Sequence, residues 1–335
     1  MKKCINKRIS SAIAALLVLL FAVAVFLSSF EHQDGFLLDQ YGNADAKFYG
    51  DHIVTSLNGQ LLMMDFQGNV VREYPTQSAS WVHTFAEENL IIYTNHAYET
   101  HLMRLDDENN LLSDNVISVK GLLCIDPTIF KAEDTFFFTH TTVEGMVNNS
   151  SPEGENGIYS VQLYSSKDLE NWEYRATIVS EKYDIEDIDI IYSDDRLHCI
   201  YEKESYDKGP SKICKKVSAD SGSTWSDEQV LIENGGDNEP SCILREGNGW
   251  RLFYSSDKEN PGESYMGASA YSAWLDEDFQ YSGEYDEKIA MENNDSVRLY
   301  EVQKKGNRLY LLYAGDYLTD RDFVLRNMKE MRKTE

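Results

Sequence analysis

The stretch from Glu186 to Trp225, EDIDIIYSDDRLHCIYEKESYDKGPSKICKKVSADSGSTW, decides how this chain is read. It opens on an acidic strand, Asp187 to Tyr192, in which apolar and charged residues alternate. A polar turn at Ser193-Asp194-Asp195 sends the chain back through Leu197-His198-Cys199-Ile200-Tyr201. A loop holding Gly209 and Pro210 leads to a third strand, Ile213 to Val217. Short alternating runs divided by turn residues are the signature of antiparallel strands. The closing octet, Ser218 to Trp225, is a turn in its own right. Its serine and aspartate are suited to capping a tight bend, and its glycine to a positive φ. Trp225 then has a large apolar face to bury.

The same plan recurs on both sides. Upstream, strands are expected at His52–Thr55, Leu61–Met64 and Val70–Tyr74, with Asn58-Gly59 as a hairpin signal. The next unit pairs Trp81–Phe85 with Leu90–Thr94. A third pairs Cys124–Phe130 with Thr135–Thr139 and ends on Ser166 to Trp172, a relaxed copy of the octet. Downstream, Glu239–Leu244 pairs with Trp250–Ser255, and Val297–Tyr300 with Leu309–Tyr313. A strand, a polar turn and an aromatic-rich strand thus repeat about every 45–60 residues, the periodicity of a propeller or another repeat array. No helical period separates the units, which disfavours a βαβ fold. The expectation is an all-β chain forming a β-propeller, six blades favoured and five the alternative, over residues 46–335.

Composition sets limits. The 335 residues carry 57 acidic against 31 basic side chains, a net charge of −26. Nucleic-acid affinity rests on Lys and Arg neutralising phosphates, so no nucleic-acid partner is expected. Four basic residues, Lys2, Lys3, Lys7 and Arg8, precede an uncharged run from Ile9 to Phe30. That run is long enough for one transmembrane helix, and the flanking charge places the N-terminus inside. Residues 1–30 are read as a basic tail and signal anchor in the lipid bilayer, and residues 31–45 as a linker. The rest would lie outside the cell membrane; secretion after signal cleavage is the alternative. Cys124, Cys199, Cys214 and Cys242 show no metal-binding spacing. They read as apolar strand residues, with a Cys199–Cys214 disulfide as the other possibility. No cofactor and no metal is expected. Asn148 and Asn149 are glycosylation-type sequons in a loop, 144–157, read as a rim over the channel mouth.

In a propeller the innermost strands line a central channel. Three successive unit starts bring carboxylates there: Asp126 before Pro127, Asp187 with Asp189, and Glu239 before Pro240. Alternation puts Asp187 and Asp189 on one face. Converging carboxylates push each other's pKa values apart, which leaves one as an acid and another as a base. Glycoside hydrolysis needs that pairing.

The octet resembles the Asp box of sialidase-like propellers, where it is structural, so Asp220 is read as a turn residue. The runs DPTIF (126–130), TFFFTH (135–140), SSKDLENW (165–172), IDIIYSDDRLHCIY (188–201), EPSCIL (239–244) and GWRLFYSS (249–256) resemble the blades of family 43 and family 32 glycoside hydrolases. That resemblance implies a glycosidase acting on polysaccharide or glycan, with Asp189 as the tuning aspartate and Glu239 as the general acid. Those families open their first blade on a base or nucleophile aspartate. The matching position here, Ser80 to His83, has no carboxylate, so the role passes to Asp126, to His83, or to nothing.

Trp81, His83, His140, Asp187, Arg298 and Tyr300 complete the candidate substrate-binding set. Packing is the alternative for Trp81 and His140. Arg298, Tyr300 and Glu301 also invite a sialidase reading, which lacks that family's early Phe-Arg-Ile-Pro motif. The other functional class is a non-catalytic propeller whose carboxylates grip glycan hydroxyls or a protein.

Overall fold

The computed structural model describes residues 36–38, 43–76, 78–144, 157–182, 184–204, 210–262, 267–289, 296–315 and 323–329. The expected anchor at 9–30, both sequons and nearly all of the expected rim loop lie outside them. Among the described residues no helix is long and apolar enough to cross a membrane.

The stretch 186–225 forms the three strands that its pattern predicts, and a fourth that the pattern did not show follows it. Strands β14 (Asp184–Ser193), β15 (Arg196–Glu204), β16 (Ser211–Ser218) and β17 (Gln229–Ile232) pair antiparallel in chain order. The octet joins the last two. Ser218 Oγ accepts from the Gly222 N–H at 2.9 Å, and Asp220 accepts from the Thr224 N–H and hydroxyl at 2.8 and 2.7 Å. Gly222 sits at φ 83°, and a Cβ there would meet Leu163 Cδ2 at 2.3 Å, so both backbone and neighbour require glycine. The Trp225 Nε1–H reaches the Gly222 carbonyl at 3.2 Å, and the ring packs on the core.

An aspartate-anchored turn joins the third and fourth strands of four other blades. Asp65 accepts from the N–H groups of Gln67 and Asn69, and Asp106 from those of Glu108 and Asn110. Asp168 serves Glu170 and Asn171, and Asp276 serves Asp278 and Gln280. One carboxylate closing two orphan donors is a local solution that each hairpin reaches by itself. Donor bonds from Thr224, Ser218 and Ser223 hold Asp220 down to about 2. A carboxylate with a depressed folded pKa contributes stability above its unfolded value, and that is lost as pH falls. Asp220→Ala is therefore expected to lower Tm at pH 7, with the gap to wild type narrowing by pH 3, read by thermal melts at both pH values.

Among the described residues five blades are built from four consecutive strands each, the number held as the alternative, where six were favoured. The first holds β2 (Asn43–Tyr49), β3 (His52–Leu57), β4 (Gln60–Asp65) and β5 (Val70–Tyr74). The second holds β6 (Ser80–Phe85), β7 (Leu90–Thr94), β8 (Thr100–Leu105) and β9 (Leu111–Val116). The third holds β10 (Leu123–Ala132), β11 (Thr135–Glu144), β12 (Ile158–Ser166) and β13 (Glu173–Glu181). The fourth is β14–β17. The fifth holds β18 (Asn238–Glu246), β19 (Gly249–Ser256), β20 (Ser269–Leu275) and β21 (Tyr281–Lys288). The remaining sheet is composite: β22 (Arg298–Lys305), β23 (Arg308–Ala314) and β24 (Phe323–Lys329) take β1 (Phe36–Leu38) as their fourth strand. Strands β1 and β2 thus begin inside the stretch read as linker.

Each first strand touches the first strands of both neighbours, and β22 returns to β2, so the ring of inner strands closes. Six apolar clusters fill the gaps between adjacent sheets. Phe137, Val161, Leu163 and Ile125 of the third blade meet Ile190, Leu197, Cys199 and Tyr201 of the fourth. Ile92 and Leu102 meet Phe138 and Tyr164 across the gap before it. Fully burying one such side chain contributes roughly 1.5–3 kcal/mol. The core lies between blades, which leaves the inner strand ends free to carry polar groups. The four cysteines are buried and free, so the Cys199–Cys214 disulfide is not formed. The register sets Cys214 opposite Tyr201 and Cys199 opposite Lys216, which keeps the two thiols apart.

Candidate functional site

Every inner strand carries a bulge near its start. The registers shift between Asn43 and Asp45, Ser80 and His83, Ile125 and Thr128, Glu186 and Asp189, Pro240 and Cys242, and Leu299 and Glu301. Bulges re-aim side chains, and here they act in concert. In three consecutive blades the bulge holds a non-glycine residue in the left-handed region: Trp81, Asp126 and Asp187, at φ 45°, 45° and 50°. Such strain costs on the order of 1–3 kcal/mol each and is retained where the surroundings enforce it.

Arg298 ties the carboxylates together. Its Nη2 donates to both oxygens of Asp187, at 2.7 and 2.8 Å, and its Nη1 is in contact with Glu239. The Asp187 N–H in turn donates to Asp126 Oδ2 at 3.3 Å. Single carboxylate oxygens of Asp187, Glu202 and Glu239 lie within 4.8 Å of one another. Asp126 stands apart electrostatically. Burial, and then the Asp187 charge, push it well above the usual carboxylate range against the pull of Arg298. A carboxyl biased toward its protonated form therefore adjoins Asp187, which is ion-paired with the Arg298 guanidinium.

Lys47 organises a second knot. Its Nζ donates to the Tyr300 carbonyl at 2.9 Å. Burial opposes its charge, but Asp45, Glu301 and Asp187 more than offset that and raise it. Asp45 accepts from the N–H groups of Ala46 and Val82, both at 2.8 Å. Burial still raises Asp45, against Lys47, Arg298 and those two donors. Asp189 is raised by burial as well, against Lys47 and the N–H groups of Ile243 and Ile190. Glu301 accepts from the Phe48 N–H, and burial, helped by the Asp189 and Asp45 charges, lifts it to about 7 against the pull of Lys47. A raised acid contributes stability below its unfolded pKa and loses it as pH climbs through the folded one. Between pH 4.5 and about 7 the wild type should lose stability that Glu301→Gln keeps. Denaturant midpoints measured across that range check the slope.

The structure brings Asp126, Asp187, Glu239 and Arg298 into one place. Asp189 is separated from Asp187 in role, since the bulge between Glu186 and Asp189 breaks the alternation expected to align them. His83 accepts the Ile129 N–H at Nδ1, 3.4 Å away. Burial and then Lys47 pull it down to about 3, so it is a poor base near neutrality. His140 is fully buried on β11, at 2.8 Å from the Thr100 hydroxyl and edge-on to Phe138 and Tyr164. It fills a core between the second and third blades and does not line the mouth. Trp81 packs on the interblade core, 6.2 Å from Tyr98 between ring centres. Tyr300 lies in the cluster of Ala46, Phe48 and Leu312, so its ring is structural. Asp45, Lys47 and Glu202 escaped the sequence reading. Asp45 and Lys47 lie at the boundary given to a linker, and Glu202 belongs to a second strand, away from the strand starts.

No family model matches the sequence, and no curated protein does either. Solved structures do share the fold. A Dyadobacter fermentans protein of unknown function superposes with a TM-score of 0.66 at 12% identity, over 89% of this chain and 97% of that one. The Penicillium chrysogenum α-L-arabinanase complexed with arabinobiose gives 0.52 at 11%, over 72% and 89%. The Fusarium graminearum GH93 α-L-arabinofuranosidase with arabinobiose gives 0.51 at 11%, over 73% and 78%. At these identities the likeness is one of fold, a β-propeller.

Proposed function

We propose that this propeller is a glycoside hydrolase-like protein that cleaves a neutral glycan by carboxylate acid/base chemistry. The observation carrying the reading is Asp126: a buried carboxyl that burial and the Asp187 charge push toward its protonated form, hydrogen-bonded to the backbone of Asp187, whose side chain shares Arg298 with Glu239. In the reverse of the roles that the resemblance implied, a protonated Asp126 gives its proton to the glycosidic oxygen as the bond from the anomeric carbon breaks. Glu239 draws a proton from water, whose hydroxyl joins the anomeric carbon; Glu239 then releases that proton to solvent, and Asp126 takes one back. Asp187 and Arg298 hold the pair in register, and the buried knot of Asp45, Asp189 and Glu301 around Lys47 supports them from behind. The arabinobiose-bound arabinanase and arabinofuranosidase make short neutral sugars the first substrates to try.

Glycan binding without turnover is the second reading. The Glu239–Arg298 contact favours it, because an ion-paired carboxylate suits gripping hydroxyls. Sialidase chemistry has little support: Tyr300 is in the core, Arg298 is committed to carboxylates, and an acidic mouth repels an anionic sugar. The test is wild type against Asp126→Asn and Glu239→Gln on aryl glycosides and neutral polysaccharides, arabinan included, read by released reducing ends. Turnover lost in both variants supports hydrolysis; glycan binding by calorimetry without any wild-type turnover supports the second reading. Residues 9–30 would anchor the chain with the propeller outside, which sedimentation with membranes after carbonate washing tests.

A further inference from the structure

Strands β14 and β15 carry a ladder of acids on one face. Their antiparallel register sets Glu186 opposite Glu202 and Asp184 opposite Glu204. Like charges directly opposite destabilise a strand pair, and two such rungs in succession are costly. Lys203, between the two glutamates, faces the other way and is paired with Glu181 and Glu228 at 3.5 and 3.1 Å. Asp237, which immediately precedes β18, approaches the ladder from the fifth blade. Its N–H is fixed by Asp257 Oδ1 at 2.7 Å. One carboxylate oxygen from each of Glu202, Glu204 and Asp237 falls within 4.8 Å of the others.

Glu202 makes this more than a solvated acidic patch. It is 5% exposed, and its carboxylate has neither a hydrogen bond nor an ion pair among the described residues. A buried carboxylate in that position needs a counter-charge or a proton. Arg298 attracts it from a distance but is engaged by Asp187 and Glu239. The charges around it include the like charges of Asp237, Glu204 and Asp187.

We propose that Glu202, Glu204 and Asp237 form a calcium site that ties the fourth blade to the entry of the fifth. Three carboxylates on one ion suit Ca²⁺, which takes six to eight oxygen ligands in flexible geometry. Mg²⁺ binds through one or two carboxylates and keeps its waters. Glu204 and Asp237 lie outside the set assigned to glycan cleavage, whereas Glu202 also borders Asp187 and Glu239, so the variants are made at the first two. An ion there would replace the repulsion across the β14–β15 rungs with a shared attraction.

The test uses the full chain stripped with EDTA and titrated with CaCl₂, with MgCl₂ in parallel, followed by calorimetry and thermal melts. One calcium per chain is expected, with Tm raised by about 5 °C at a hundredfold excess over Kd. Glu204→Gln, at a half-buried position, should weaken calcium binding at least about tenfold while the metal-free Tm holds or rises, because a like charge is removed. Asp237→Asn serves as the second variant and should weaken binding similarly. No calcium binding in the wild type overturns the site. Unchanged affinity in the two variants overturns the ligand set, and an equal response to MgCl₂ overturns the choice of ion. None of these readouts involves a sugar, so they fail or succeed independently of hydrolysis.

Discussion

Asp126→Asn is expected to cut hydrolysis of a neutral oligosaccharide by about 10²- to 10⁴-fold, the range for losing a positioned general acid. The substitution tests chemistry and spares the fold. Asparagine tolerates the left-handed conformation that Asp126 adopts at φ 45°, and its carbonyl oxygen can accept the Asp187 N–H as the carboxyl does. Only the transferable proton is lost. The pH profile sharpens the prediction. Because burial and Asp187 raise Asp126, the wild type should stay active through pH values where an ordinary aspartic acid is already ionised. Its alkaline limb should fall as pH rises through that raised value. The same shift makes Asp126 favour the folded state at low pH, an advantage that disappears on the same limb. In Asp126→Asn both the limb and that pH-dependent increment of stability should vanish. An alkaline limb that survives in the variant assigns the proton to another group, with Glu301 the first to try because it titrates at about 7.

Most of the architecture was legible before any coordinates. Period-2 runs broken by aspartate- and glycine-bearing turns forced short antiparallel strands, and their recurrence forced a ring. The turn chemistry of the octet at Ser218 to Trp225 was legible in kind, because its bonds are local and each is made by residues within a few positions. The copies at Asp65, Asp106 and Asp276 lack the tryptophan, and only their shared donor pattern reveals them. The site was legible in kind but not in partnership. Carboxylates at strand starts pointed to Asp126, Asp187 and Glu239, while nothing in the spacing announced that Arg298, 111 positions beyond Asp187, would bind it. Long-range pairing is set by ring closure, which a local pattern does not encode. The bulges misled for a related reason. Alternation aligns Asp187 with Asp189, and a single inserted residue gives each a different neighbourhood. His140 went astray because a histidine after a phenylalanine-rich strand reads the same whether it faces a channel or a core.

Arg298 should therefore be the residue whose loss costs the fold most. Its side chain is 17% exposed, its Asp187 partner 15% and Glu239 7%, so the pairings are screened little by water. Removing one member of a buried ion pair leaves an uncompensated charge, at about 3–5 kcal/mol. Here two carboxylates would be abandoned at once, with Glu202 and Asp126 close by. Arg298→Met keeps the apolar stem and deletes the charge. Urea denaturation at pH 7.5 should show the full loss. At pH 5 the deficit should shrink, since the orphaned acids take up protons, and acids with raised folded pKa values stabilise the fold on the acid side. Arg298→Lys restores the charge without the two-pronged donor geometry, so it should recover only part of the loss. The double variant Arg298→Met/Asp187→Asn decides between electrostatics and packing. If Arg298 serves to neutralise, removing Asp187's charge in the Met background should regain stability, although Asp187→Asn alone destabilises. If the two losses simply add, the guanidinium is a packing element, and the convergence of acids on this end of the ring is balanced by some other cation.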